Sequence, residues 1–223
     1  MENKPAFEQL QRWQEMMLLY RSAIAEVNTK LNILNDEFQM THRYNPIEHL
    51  KSRIKSPESI ANKLRSRGLE VTIQNAFEQI NDIAGIRIIC SFVPDIYLVY
   101  EMLRRQNDIT ILRVKDYIAH PKPSGYRSLH VLMSIPIFLS ERVQPVKVEV
   151  QIRTIAMDFW ASLEHKLYYK HHDNTPHEVS EQLRECAQLA ADLDEKMLQI
   201  KDRIAELERR GADVWRDEPL NPI

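Results

Sequence analysis

Residues 146–153 constrain the fold of this chain more than any other stretch. Val146, Val148, Val150 and Ile152 alternate there with Lys147, Glu149, Gln151 and Arg153. Successive side chains of a strand point to opposite faces, so the segment reads as a strand with one aliphatic and one polar face. The aliphatic face needs a core. The polar face is either plain solvent-facing surface or one wall of a site.

The flanking pattern fills in the rest. Ser56-Pro57 is a helix start, with Ser as N-cap and Pro at the first position, and that helix is expected to end near Gly68. The sequence then predicts a short helix over 73–80, a strand over 86–92, a helix over 94–106 and a strand over 109–117. A loop at 119–125, strands at 128–135 and 146–152, and a helix over 154–170 follow. Residues 51–55 read as an extended segment with Lys51, Arg53 and Lys55 aimed one way, ahead of a helix N-terminus that itself attracts anions.

Both ends read as long helices. Leu10, Trp13, Met17, Tyr20, Ile24, Val27, Leu31, Leu34 and Phe38 recur three and four apart, as do Leu183, Cys186, Ala190, Leu193, Met197, Ile200, Ile204 and Leu207, with Gly211 as a stop. Most of each stripe is expected to pack on the body, with part of it free to make an oligomer. The organisation is therefore an N-terminal helix over 1–41, a central domain over 42–170, and a C-terminal helix and tail over 171–223, forming one compact domain. The tail from Asp213, with Trp215 and two prolines, reads as partly ordered.

Charge sharpens this division. Net charge is −2 overall, yet residues 42–170 hold 19 Lys and Arg against 13 Asp and Glu, while residues 171–223 hold 7 against 13. A basic centre suits an anionic small molecule or RNA. No apolar run is long enough for a membrane span, and the N-terminus lacks the apolar core of a signal peptide, so the chain is expected in the cytoplasm. The two cysteines suggest neither a disulfide framework nor a zinc site. Of the eight histidines, His171, His172 and His177 lie closest together, but their spacing fits no metal motif.

Four clusters carry chemistry. Asp82-Ile-Ala-Gly-Ile-Arg87 and Glu149-Val-Gln-Ile-Arg153 each set a carboxylate ahead of an arginine. Carboxylates hold Mg²⁺, and arginine and lysine hold phosphate oxygens. Arg113, Lys115 and Tyr117 share a strand face. Lys122-Pro-Ser-Gly125-Tyr126-Arg127-Ser-Leu-His130 is a loop entering a strand, with Tyr126 able to stack on a base and Lys122 able to reach a phosphate. His130 reads as a base, a phosphate donor or a structural residue. No G-x-x-x-x-G-K-[ST] loop is present, so a P-loop does not hold the anion.

These motifs, with Lys51-Ser-Arg-Ile-Lys-Ser56 and the run from Ala156 to His165, resemble the synthetase domain of the RelA/SpoT family, and the whole chain its small RelP-like members. The resemblance implies an α/β (α+β) nucleotidyltransferase-like fold, a mixed five-stranded sheet flanked by helices. It implies a GTP pyrophosphokinase that moves pyrophosphate from ATP to the 3′-OH of GDP or GTP, giving ppGpp or pppGpp and AMP. By motif, Arg53 and Arg87 would sandwich adenine, and Lys55 and Lys63 would hold ATP phosphates. Asp82 and Glu149 would bind Mg²⁺, with Glu149 also taking the 3′-OH proton. Tyr126 would stack on guanine, Lys115, Lys122 and His130 would hold the acceptor diphosphate, and Asp158 would read the guanine edge. The resemblance further implies a homotetramer. No hydrolase domain precedes the motifs and no regulatory domain follows them, so synthesis without degradation is expected. Nucleic acid is not required. The competing readings are a non-catalytic nucleotide- or RNA-binding protein and a helical interaction protein. The paired carboxylates argue against the first, because they would repel phosphate unless a metal bridged them.

Overall fold

The computed structural model describes residues 4–42, 44–169 and 176–214. Helix α1 (Lys4–His42) precedes strand β1 (Ile47–Ile54), helices α2 (Pro57–Ser66) and α3 (Ile73–Gln79), strand β2 (Ala84–Cys90) and helix α4 (Val93–Arg104). Strands β3 (Thr110–Asp116), β4 (Leu129–Phe138) and β5 (Val143–Thr154) follow, then helices α5 (Ile155–Tyr169) and α6 (His177–Val214).

The strands form one five-stranded sheet in the order β1-β2-β5-β4-β3. Only β2 and β5 run parallel; the other pairs are antiparallel. The strand with the clearest alternation is thus the central one. Val146, Val148, Val150 and Ile152 are fully buried, as are Val131, Met133 and Ile135 on β4 and Ala84 and Ile88 on β2. These side chains share one core with Met16, Tyr20, Ala23, Val27 and Leu31 of α1, Ile60 and Leu64 of α2, and Ile96, Val99 and Leu103 of α4. Burying each large aliphatic side chain contributes about 1.5–3 kcal/mol, and that gain holds α1 against the sheet.

Local signals set the boundaries. Ser56 Oγ accepts from Ser59 N at 3.2 Å, and Thr72 Oγ1 accepts from Asn75 N at 3.1 Å, so both short helices begin at side-chain caps. Gly68 adopts φ +69°, which lets the chain reverse just beyond α2. The segment expected merely to be extended is β1, the fifth strand, and it pairs with β2 along its length.

The C-terminal helix departs from expectation. Among the described side chains of α6 only Ala187 and Asp194 are buried, and Leu189, Leu193, Met197, Ile200, Ile204 and Leu207 are all exposed. The stripe is real, but α6 meets the body along one side as far as Asp194 and Lys201 and turns its apolar row outward. It also runs through Gly211 to Val214, because one glycine costs a helix only about 1 kcal/mol. His171, His172 and the tail from Trp215 lie outside the described residues. No described helix is long and apolar enough to cross a membrane.

Candidate functional site

The register lays the polar face out in rows. Lys51 on β1 pairs with Arg87 on β2, Arg87 with Gln151 on β5, Gln151 with His130 on β4, and His130 with Lys115 on β3. The neighbouring row runs Arg53, Gly85, Glu149, Leu132 and Arg113. Residues scattered over more than sixty positions of sequence therefore meet on one surface. Arg53 lies over Gly85, with its Cγ 3.5 Å from where a Cβ would stand. Arg53, Arg87, Glu149 and Gln151, with Lys51, Ser52, Gly85 and Ile86, line a cleft at this end of the sheet. A wider cleft of about 880 Å³ between α1, α3 and the β4–β5 turn holds none of the predicted site residues.

Asp82 sits in the turn before β2. Its Oδ1 accepts from Lys63 Nζ at 2.8 Å, and its Oδ2 faces Lys55 Nζ at 3.1 Å. Burial alone would raise its pKa, but hydrogen bonds from Lys63 and then Lys55 hold the carboxyl below its usual range. It is ionised at neutral pH and already set among cations. Glu149 accepts from Gln151 Nε2 at 3.3 Å. Among the described residues no three His, Cys, Asp or Glu side chains gather as a closed metal cage. Two carboxylates beside a cationic cleft suit Mg²⁺, which takes one or two carboxylates and completes its shell with water and substrate phosphates.

The other end of the face is built around Arg153, which is 4% exposed. Its guanidinium donates to Tyr126 Oη, to Gln151 Oε1 at 2.8 Å, to Ser128 Oγ at 3.3 Å and to Asp158 Oδ1 at 3.2 Å. Tyr126 Oη is also 2.7 Å from His130 Nε2. Lys122 Nζ stands 4.8 and 4.7 Å from the ring centres of Tyr117 and Tyr126. Lys122, Tyr126, His130 and Asp158 are thus brought together around Arg153, with Lys115 opposite His130 on the neighbouring strand.

Three details change the expected picture. His130 titrates near 4, because burial and then Arg153, Lys122 and Lys115 disfavour its cation; at neutral pH it offers a phosphate a hydrogen bond and no charge. Arg87 is already ion-paired at its edge: its Nη1 lies 3.0 Å from Asp158 Oδ1. Burial, then the nearby Arg153, pulls its pKa down, and Asp158 opposes that. Asp158 is correspondingly shared by Arg87 and Arg153, so the residue expected to read the acceptor base also anchors an arginine expected on the donor side. Arg153, Gln151 and Tyr117 are the residues that sequence reasoning left unassigned. The period-two alternation had already put Arg153 and Gln151 on the face of Glu149.

A five-stranded mixed sheet with a carboxylate-and-cation face places the chain in a defined class, and comparison with known proteins narrows it. Residues 52–174 match the family model described as "Region found in RelA / SpoT proteins". The chain is 51% identical over 195 residues to GTP pyrophosphokinase YwaC of Bacillus subtilis (strain 168), covering 87% of this chain and 93% of that protein. Its fold superposes with a TM-score of 0.78 on the small alarmone synthetase 1 of Bacillus subtilis bound to its product pppGpp, at 38% identity over 87% of this chain and 98% of that one. The same synthetase bound to AMPCPP matches with a TM-score of 0.73 at 35% identity, over 88% and 99% of the two chains. The chain belongs to the RelA/SpoT family.

Proposed function

We propose that this protein is a (p)ppGpp synthetase that transfers pyrophosphate from ATP to the 3′-OH of GDP or GTP. The observation that carries the reading is the two-ended polar face. Glu149, Arg53 and Arg87 line a cleft at one end, the Lys122–Tyr126–His130–Arg153 cluster occupies the other, and Asp158 spans the join. A site for two nucleotides needs two anion-holding halves that abut. The relatives' names and the neighbours bound to pppGpp and AMPCPP support the same substrates.

In this mechanism Arg53 and Arg87 hold adenine, with Arg87 kept in orientation by Asp158. Lys55 and Lys63 pass from Asp82 to the ATP phosphates as the nucleotide enters. Tyr126 stacks on guanine and Asp158 reads its edge. Lys122 and Lys115 supply positive charge to the acceptor diphosphate, and neutral His130 supplies a hydrogen bond. Glu149 takes the proton of the 3′-hydroxyl as that oxygen attacks the β-phosphorus of ATP. The bond from the β-phosphorus to the α,β-bridging oxygen breaks, that oxygen keeps the electron pair, and AMP leaves. Asp82 and Glu149 would hold Mg²⁺, which would supply charge neutralisation at the phosphoryl oxygens. Positioning and electrostatics provide most of the rate.

Assembly is part of the proposal. The exposed row of α6, with Phe159, Leu163 and Leu167 of α5 also exposed, is larger than an isolated surface residue or two and suits self-association into a homotetramer. Work in the cytoplasm follows from the substrates.

The test is transfer of label from γ-³²P-ATP to GDP or GTP with Mg²⁺, wild type against Glu149→Gln. Label in ppGpp or pppGpp for wild type, with a loss of about 10³-fold in the variant, is expected. A folded wild type that transfers to neither acceptor favours the nucleotide- or RNA-binding reading instead.

A further inference from the structure

Lys147 stands on β5 two residues before Glu149 and on the same face, yet it points at no expected substrate. Its Nζ donates to the carbonyls of Phe77 at 3.0 Å and Glu78 at 2.8 Å, and to Asn81 Oδ1 at 3.4 Å. The first two carbonyls end α3, and Asn81 directly precedes Asp82. The last carbonyls of a helix have no partner within it and carry its negative pole, so a lysine there has a strong hold. All three N–H bonds of the ammonium are used.

The consequence lies in what the two ends of this contact carry. β5 carries Glu149. The turn after α3 carries Asp82, which then leads into β2, where Gly85 is in register with Glu149. Buried Ile80 and Ile83 flank the turn, β2 pairs with β5 from Ala84 onward, and the Lys147 hydrogen bonds add a polar tie from the end of α3 and the Asn81 side chain to the strand of the second carboxylate. A second cation caps the same helix from elsewhere: Arg67 Nη1 donates to Gln79 O at 2.7 Å. Arg67 lies just past α2, so it steadies the helix without reaching β5.

We propose that Lys147 is a positioning residue that fixes the spacing between Asp82 and Glu149, and through it the affinity of the site for a divalent cation. This rests on the transferase reading of the site. Outer partners of metal-holding carboxylates change metal affinity by about 10–100-fold when removed.

The experiment titrates Mn²⁺, followed by its EPR signal, into the full chain with AMPCPP present, and measures kcat, KM and melting in parallel. Lys147→Met is expected to lower Mn²⁺ affinity by at least about tenfold and to lower kcat, with KM for GDP within about twofold of wild type. Lys147→Arg, which keeps the charge and the donors, restores most of the affinity. Arg67→Met separates positioning from stability: it lowers the melting temperature and leaves Mn²⁺ affinity unchanged. Should Lys147→Met not fold, Lys147→Gln is read the same way. Wild-type Mn²⁺ affinity in a folded Lys147 variant, or an equal loss in Arg67→Met, overturns the proposal while leaving the transferase intact. A wild type that binds Mn²⁺ but transfers nothing overturns the transferase reading, and with it the role given to Lys147.

Discussion

Gly125 and Ala187 pack so closely that a Cβ on the glycine would lie 2.5 Å from the Cβ of the alanine. The loop that presents Tyr126 therefore rests directly on α6. The same helix is pinned again at the end of β5, where Thr154 Oγ1 donates to Asp194 Oδ2 at 2.6 Å, and Trp160 Nε1 donates to Leu183 O at 2.8 Å. A terminal helix that looks peripheral thus supports the loop of the proposed acceptor subsite.

Replacing Gly125 with alanine is expected to be costly on two counts. The residue sits at φ +88°, where a side chain costs about 1–2 kcal/mol, and the clash with Ala187 adds about 1–3 kcal/mol of overpacking. Urea melts should show a loss in that combined range, and KM for GDP should rise more than KM for ATP. Ala187→Gly combined with Gly125→Ala should recover the clash component and leave the backbone component, which a double-mutant cycle resolves.

The half-buried imidazole of His130 makes stability depend on pH. It is held near 4 against an ordinary 6.5 by burial, then Arg153, Lys122 and Lys115; Tyr117 and Tyr126 are the other groups that face it. Between those values the unfolded chain binds the extra proton, so stability is full above about pH 6.5 and falls as pH drops toward 4. The contribution is ~3 kcal/mol at most. Denaturation across that window should be steeper for wild type than for His130→Asn, and equal slopes would remove His130 from the account.

Asp158 is the shared counter-charge of Arg87 and Arg153. Asp158→Asn keeps the shape and removes the charge, leaving two neighbouring guanidiniums that repel. A stability loss of about 1–3 kcal/mol is expected, below the full value for a deeply buried pair because Arg87 is partly exposed. Kinetics should show KM rising for both nucleotides, since one carboxylate serves both halves. A rise for the acceptor alone would confine Asp158 to the guanine side.

The outward row of α6 should behave as an interface. Leu193→Asp with Ile200→Asp alters side chains that are 54% and 52% exposed, so the isolated fold should tolerate the change. Sedimentation should show a smaller assembly than wild type. An unchanged mass would place the contact on another surface.

Much of the site was legible because chemistry and period coincide in β5. Alternation put Glu149, Gln151 and Arg153 on one face, and the cap at Ser56 and the glycine at 68 bounded α2. The register rows were not legible, since hydrogen-bonded pairing between β1, β2, β4 and β3 has no local signal. Nor was the ion pair from Arg87 to Asp158, which joins residues seventy-one positions apart.

The sequence by itself determined which segments are strands and helices, which face of each is apolar, and which side chains are able to hold phosphate or metal. These follow from short-range sterics and periodicity. Only the tertiary structure decided which cations neutralise Asp82, that His130 is neutral, that Arg153 is the hub joining Tyr126, Gln151 and Asp158, and that α6 turns its stripe outward. Each of those depends on burial and on partners distant in sequence, and electrostatic energy is set by the distance and dielectric that folding creates.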